Sequence, residues 1–203
     1  MTRFAVAVAR RDEPRLEDLA EGVSLKKMPQ ALSAWGGFTL IMEPKGRNDG
    51  HIFDFSKITE QIIIGSDLCG GGVCLLHADQ FKKLGVSVEL NLSQEENELP
   101  PKEIETYIWL PVVDGYAPSA TQLAIGISAM HEAIKNGKVV FIHCKNGHAR
   151  SPSMVAAYLM KYQGLNLDAA IELIKEKRPE VHIEESQKKA LDEFIKEQIK
   201  VIK

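Results

Sequence analysis

Three cysteines in 203 residues are too few, and odd in number, for a disulfide framework. A secreted scaffold stapled by such bonds is excluded, and a reducing compartment such as the cytoplasm suits the chain better. No apolar run approaches the roughly 20 residues that span a bilayer. An excess of charge is missing too. Lys and Arg number 25 against 28 Asp and Glu, and the net −3 gives no global attraction to nucleic acid or to an anionic lipid surface. Any anionic substrate must therefore be steered by local charge. There is no internal repeat and no low-complexity segment. Zinc lacks its usual ligand set: Cys69 and Cys74 stand close together, but no second cysteine or histidine pair completes a tetrahedral site.

What is present suffices for one domain with a sizeable core, since 44% of residues are hydrophobic. The segment through Trp109-Leu110 and Val139-Val140-Phe141-Ile142 read as strands. Ser119 with Gln122 forms a capping box that opens a helix to about Lys135, and Asn136-Gly137 closes it. Helices near 152–163 and 167–177 follow, then one from about 184 with Leu191, Phe194, Ile195 and Ile202 on one face. The alternation predicts an α/β fold, a central and mostly parallel sheet flanked by helices, with the site at the carboxyl ends of the strands.

The most informative stretch is His143-Cys144-Lys145-Asn146-Gly147-His148-Ala149-Arg150-Ser151. It follows the apolar run 139–142 and precedes Met154, Val155, Tyr158, Leu159 and Tyr162 at helical spacing, so it joins a strand to a helix N-terminus. Backbone N–H groups are unpaired at such a junction and the helix dipole is positive there, which favours an anion. The same field favours the thiolate form of Cys144, a ready nucleophile. Gly147 lets the backbone turn several N–H groups toward one point, and Arg150 offers a planar fork that matches two phosphate oxygens. Residues Lys145, Asn146, Gly147, His148, Ala149 and Arg150 are the expected phosphate cradle. Ser151 can donate a hydrogen bond to the sulfur. A buried structural thiol is the plain alternative for Cys144, but it leaves the strand, the glycine, the Arg-Ser pair and the helix to coincide by chance.

The stretch resembles the signature of the cysteine-dependent protein tyrosine phosphatase superfamily: His-Cys, five residues, then Arg and Ser or Thr. Ala157-Tyr158-Leu159-Met160 and Lys177-Arg178-Pro179 are similar to residues that follow the active-site helix in the dual-specificity branch. Ile62-Ile63-Ile64-Gly65-Ser66, Leu84-Gly85-Val86 and Asn91-Leu92 are similar to that branch's early elements. The resemblance divides the chain into an extension over residues 1–55, packed on the core or rimming it, and a catalytic domain over 56–203. It implies a phosphomonoester phosphatase that needs no metal or cofactor and works through a cysteinyl-phosphate. Phosphotyrosine protein is the leading substrate, with phosphoserine and phosphothreonine protein beside it. A phosphoinositide or other small phosphate is the alternative, and a phosphate-binding module without catalysis is the alternative of another class.

Rhodanese-like sulfur transferases and arsenate reductases share such a loop, and a general acid separates them from phosphatases. An alkoxide or phenoxide departs poorly at neutral pH, so a positioned acid contributes typically about 10²–10⁴-fold. Asp114, in Val112-Val113-Asp114-Gly115-Tyr116-Ala117-Pro118, ends a strand-like segment on a Gly/Pro loop upstream of Cys144. Its setting resembles that of the superfamily's acid. Asp-Gly is also an ordinary turn pair, and Glu95, Glu96 and Glu98 are the fallback acids, although such a run usually forms a solvated face.

The resemblance implies supporting roles for His143, a loop-ordering hydrogen-bond partner, and Gln187, which matches a glutamine that in some relatives orients the hydrolytic water; an exposed helix-start glutamine is the equal alternative. Phosphoinositide phosphatases of the superfamily carry basic residues where this chain has Lys145 and His148. Some regulated members use a resolving thiol, for which Cys69 and Cys74 are candidates beside their simpler reading as loop or core residues. Near the N-terminus, Arg3, Arg10, Arg11 and Arg15 resemble the basic bias of a targeting peptide, but Asp12 and Glu13 arrive too early for one. Trp35 to Met42 reads as a strand or hairpin arm.

Overall fold

The computed structural model describes residues 54–67, 75–97 and 100–201. Five strands and five helices occur among them: β1 (Phe55–Lys57), β2 (Ile62–Gly65), α1 (Leu75–Leu84), β3 (Val86–Ser93), β4 (Thr106–Val112), α2 (Ala120–Lys135), β5 (Val139–His143), α3 (Arg150–Gln163), α4 (Leu167–Lys177) and α5 (Glu185–Val201). The strands form one mixed sheet in the order β1-β2-β5-β3-β4. Every pairing is parallel except β1 with β2. The expected arm over 35–42, Cys69, Cys74 and nearly all of the 1–55 extension lie outside the described residues. No helix among the described residues is long and apolar enough to cross a membrane.

The sheet is covered on both faces, which is why its central strands are apolar at consecutive positions rather than alternately. Successive side chains point to opposite faces. Ile62, Ile64, Leu90, Leu92, Val140 and Ile142 join one large core with α2 to α5, while Ile63, Phe81, Val86 and Phe141 form a smaller one on the other face. Helix α3 is buried from Arg150 through Met160. A helix so enclosed is a core element, and removing a large apolar side chain from such a place costs about 2–5 kcal/mol.

The capping box at Ser119 and Gln122 forms as expected and opens α2. Helix α3 starts at Arg150, earlier than its apolar periodicity indicates, because the arginine and serine of the loop themselves make the first turn. The four parallel strands end together: Gly65 and Asn91 are both in register with His143, and Ser93 with Val112. The segments carrying Asp67, Glu95, Asp114 and Cys144 therefore leave the sheet at one edge.

Candidate active site

Four outward hydrogen bonds shape the loop between β5 and α3. The carbonyl of Lys145 accepts from the Asp67 N–H at 3.0 Å, and that of His148 from the His182 N–H at 3.0 Å. The Arg178 guanidinium donates to the carbonyls of Gly147 at 2.9 Å and Asn146 at 3.1 Å. A peptide unit is planar and trans, so an outward carbonyl obliges the next N–H to face inward. The N–H groups of Asn146, Gly147, His148 and Ala149 thus converge on the inside of the loop. Ala149, the N-cap of α3, has no side-chain oxygen to occupy the first-turn N–H groups, which leaves them for an anion. Gly147 has φ +66°, and a Cβ there would stand 2.5 Å from the Gly65 carbonyl oxygen. Only glycine fits.

Cys144 is buried at the start of this loop, its Sγ 3.4 Å from the Ser151 hydroxyl. His143, fully buried on β5, has Nε2 3.1 Å from a Glu89 carboxylate oxygen and Nδ1 3.6 Å from one of Asp67. The Glu89 carboxylate holds the imidazole on one side and buried Asp67 lies beside its other nitrogen, immediately before the cysteine.

Arg150 carries the densest contacts. Its guanidinium donates to both carboxylate oxygens of Glu95, at 2.8 and 3.1 Å, and to the Val112 carbonyl at 2.9 Å. The Asp114 carboxylate lies 3.0 Å from the same group. Burial opposes the charge on Arg150, but the Glu95 hydrogen bonds, with the nearby Cys144, Glu95 and Asp114, outweigh it and hold the guanidinium above its ordinary range. In return the Arg150 hydrogen bonds draw Glu95 from 4.5 down to about 2, against the effect of its own partial burial. Glu95 is thereby held as a carboxylate on Arg150 and anchors it. Asp114 occupies the expected place, its side chain 70% exposed at the mouth of the loop.

The structure also locates residues that sequence reasoning passed over. Arg178 is fully buried behind the loop, and besides the two carbonyls it binds Asp54 through both carboxylate oxygens, at 2.8 and 3.3 Å, and Ser56 at 3.3 Å. Its only signal was the Lys177-Arg178-Pro179 tripeptide. Asp67, Glu89 and Asp54 left no signal, since their partners are distant in sequence. Gln187 is fully buried, but both ends of its amide are bonded to backbone: it accepts from the Glu184 N–H at 2.9 Å and donates to the Tyr116 carbonyl at 3.0 Å. Through these bonds it holds the loop that bears Asp114. At the rim Lys145 is exposed. His148 meets the exposed His182 ring edge-on at 5.6 Å. Burial, then the charges of Arg178 and His182, keep the His148 imidazole below its usual 6.5.

A cysteine at the head of an N–H cradle, an arginine closing it and an aspartate at its mouth define the cysteine-dependent phosphatases. The family model for the dual specificity phosphatase catalytic domain matches residues 71–197, and the chain belongs to that family. Among relatives, dual specificity phosphatase 28 of Mus musculus is 31% identical over 127 residues, 62% of this chain and 74% of that protein. Phosphatidylglycerophosphate phosphatase PTPMT2 of Arabidopsis thaliana is 30% identical over 121 residues, 57% of this chain. The chain spans only 53% of that plant protein's length. Among solved structures, PTPMT1 superposes with a TM-score of 0.60 at 26% identity, over 70% of this chain and 94% of its own. PTPMT1 in complex with PI(5)P shares the fold at a TM-score of 0.64.

Proposed function

We propose that this protein is a metal-independent phosphomonoester phosphatase that works through a cysteinyl-phosphate. The observation that carries this reading is the set of four outward carbonyls, which turns the loop N–H groups inward between Cys144 and Arg150. The thiolate of Cys144 attacks phosphorus. The cradle and Arg150 hold the equatorial oxygens, whose charge they stabilise better as the transition state forms. Arg150 Nε is buried and without a hydrogen-bond partner among the described residues, so it is the donor left for a phosphate oxygen. As the P–O bond breaks, Asp114 delivers its proton to the leaving oxygen. A water then attacks phosphorus while Asp114 takes a proton from it, and the P–S bond breaks to release phosphate and the thiolate, which Ser151 stabilises.

Phosphotyrosine protein is the leading substrate, with phosphoserine and phosphothreonine protein beside it. What supports this is the rim: one exposed lysine and a histidine held below its usual titration range supply little fixed positive charge for additional phosphates. A phosphoinositide or another lipid phosphate is the second reading, supported by Lys145 and His148 at the rim and by the names of the PTPMT relatives. A reducing compartment such as the cytoplasm suits a mechanism that needs Cys144 reduced.

Hydrolysis of an aryl phosphate without added metal, by wild type and by Cys144→Ser, tests the mechanism. Wild type is expected to turn over, and the serine variant to lose turnover while still binding orthovanadate or phosphate, because its hydroxyl is not ionised. Turnover near wild type in Cys144→Ser would remove the cysteinyl-phosphate, and phosphate binding without turnover in wild type would leave a binding module.

A further inference from the structure

We infer that two glutamines, Gln122 on α2 and Gln187 on α5, clamp the backbone of the loop that carries Asp114 and are positioning residues for the acid. The inference rests on the phosphatase reading above. Asp114 sits in a turn closed by the Tyr116 N–H donating to the Val113 carbonyl at 3.1 Å, with Gly115 at φ +80° in the third position. Before the turn, the Gln122 amide donates to the Pro111 carbonyl at 2.7 Å. After it, the Gln187 amide donates to the Tyr116 carbonyl at 3.0 Å. The partners fix each amide's orientation, since in each case the oxygen accepts a backbone N–H: Ser119 at 2.9 Å for Gln122, Glu184 at 2.9 Å for Gln187. One loop is thus tied to the start of two helices.

These bonds matter because little else places the acid. The Asp114 side chain is largely exposed. Between the loop and α5 the surface opens into a cavity of about 480 Å³ lined by Tyr116, Pro118, Leu123, Ala190 and Phe194, so packing on that side is incomplete. The other fixed contact of Asp114 is Arg150, for which a bound phosphate competes. With the arginine engaged, the clamped backbone remains to keep the acid within reach of the leaving oxygen. A displacement of about 1 Å in such a group can cost up to about 100-fold in rate.

The test compares an alkyl phosphate, a poor leaving group, with 2,4-dinitrophenyl phosphate, which needs no acid. Asp114→Asn is the reference. Gln187→Met and Gln122→Met remove each donor at similar side-chain length. Each is expected to lower kcat on the alkyl phosphate by about tenfold, part of the acid's contribution, and on the dinitrophenyl ester by less than threefold, about 0.6 kcal/mol. In an Asp114→Asn background the glutamine changes should add no further discrimination. Should Gln187→Met fail to fold, Gln122→Met, at the surface, is read alone by the same criterion. Equal losses on both esters, or losses that add fully to Asp114→Asn, would show a structural role only and overturn the inference. If Asp114→Asn itself does not discriminate, the acid assignment fails first, and the reference variant shows it.

Discussion

At the scale of single residues the site is governed by what Arg150 touches. Its pairing with Glu95 is bidentate, the geometry that distinguishes a guanidinium from an ammonium. Glu95 titrates at about 2 in the folded chain against an ordinary 4.5. A lowered carboxylate contributes stability that is complete above its unfolded value and is lost as pH falls through the folded one. Glu95→Gln should therefore lower Tm at neutral pH, and its gap from wild type should close as pH falls from about 4.5 toward 2. Because Glu95 is about one-third exposed, at 32%, the gap should also shrink with added salt. Thermal melts at several pH values check this, and a gap independent of pH would place the stabilisation elsewhere than in the carboxylate.

Among elements, the strand-loop-helix unit from β5 to α3 is decisive, and its loop is shaped from outside itself. Two of the four bonds that turn its carbonyls outward come from Arg178, beyond the end of α4, and one each from Asp67 and His182. The loop tolerates this curvature because Gly147 can sit at φ +66° against Gly65 of β2. Gly147→Ala meets a rigid strand backbone and a left-handed conformation that costs about 1–2 kcal/mol for an L-residue. It should reduce stability by at least that amount in denaturant unfolding, and kcat/KM by about 100-fold, as expected for a cradle displaced by about 1 Å. An alanine variant with wild-type phosphate affinity would show that the inward N–H groups are not the cradle.

For the whole molecule the open question is which phosphate reaches the pocket. The chain is net acidic, and His148 is neutral at pH 7 because burial and its cationic neighbours hold it below 6.5. Exposed ionic contacts are worth about 0–1 kcal/mol each. Lys145→Ala combined with His148→Ala should therefore lower kcat/KM only a few-fold, and similarly, on phosphotyrosine peptides and on phosphoinositides. Parallel assays on both substrates at two ionic strengths check this. A loss confined to the phosphoinositide and weakened by salt would promote the lipid reading.

The nucleophile, the arginine, the serine and the helix they open were legible in the sequence because all lie within nine residues, where local backbone physics decides the outcome. The turn that carries Asp114 at the end of a strand was legible from its Asp-Gly pair, and the core from the alternation of apolar runs with helical periodicity. What holds these parts was not. The bidentate hold of Glu95 on Arg150 and the bond from Gln187 to the Tyr116 carbonyl appear only in the fold. Arg178 gave only a tripeptide, and Glu89 and Asp67 gave nothing. A hydrogen bond between residues distant in the chain depends on sheet order, and the order β1-β2-β5-β3-β4 alone brings four separate segments to one edge. The sequence by itself determined which groups can do the chemistry, since that follows from residue type and local geometry; the tertiary structure decided which side chains orient them, because convergence in space is set by the packing of the whole sheet.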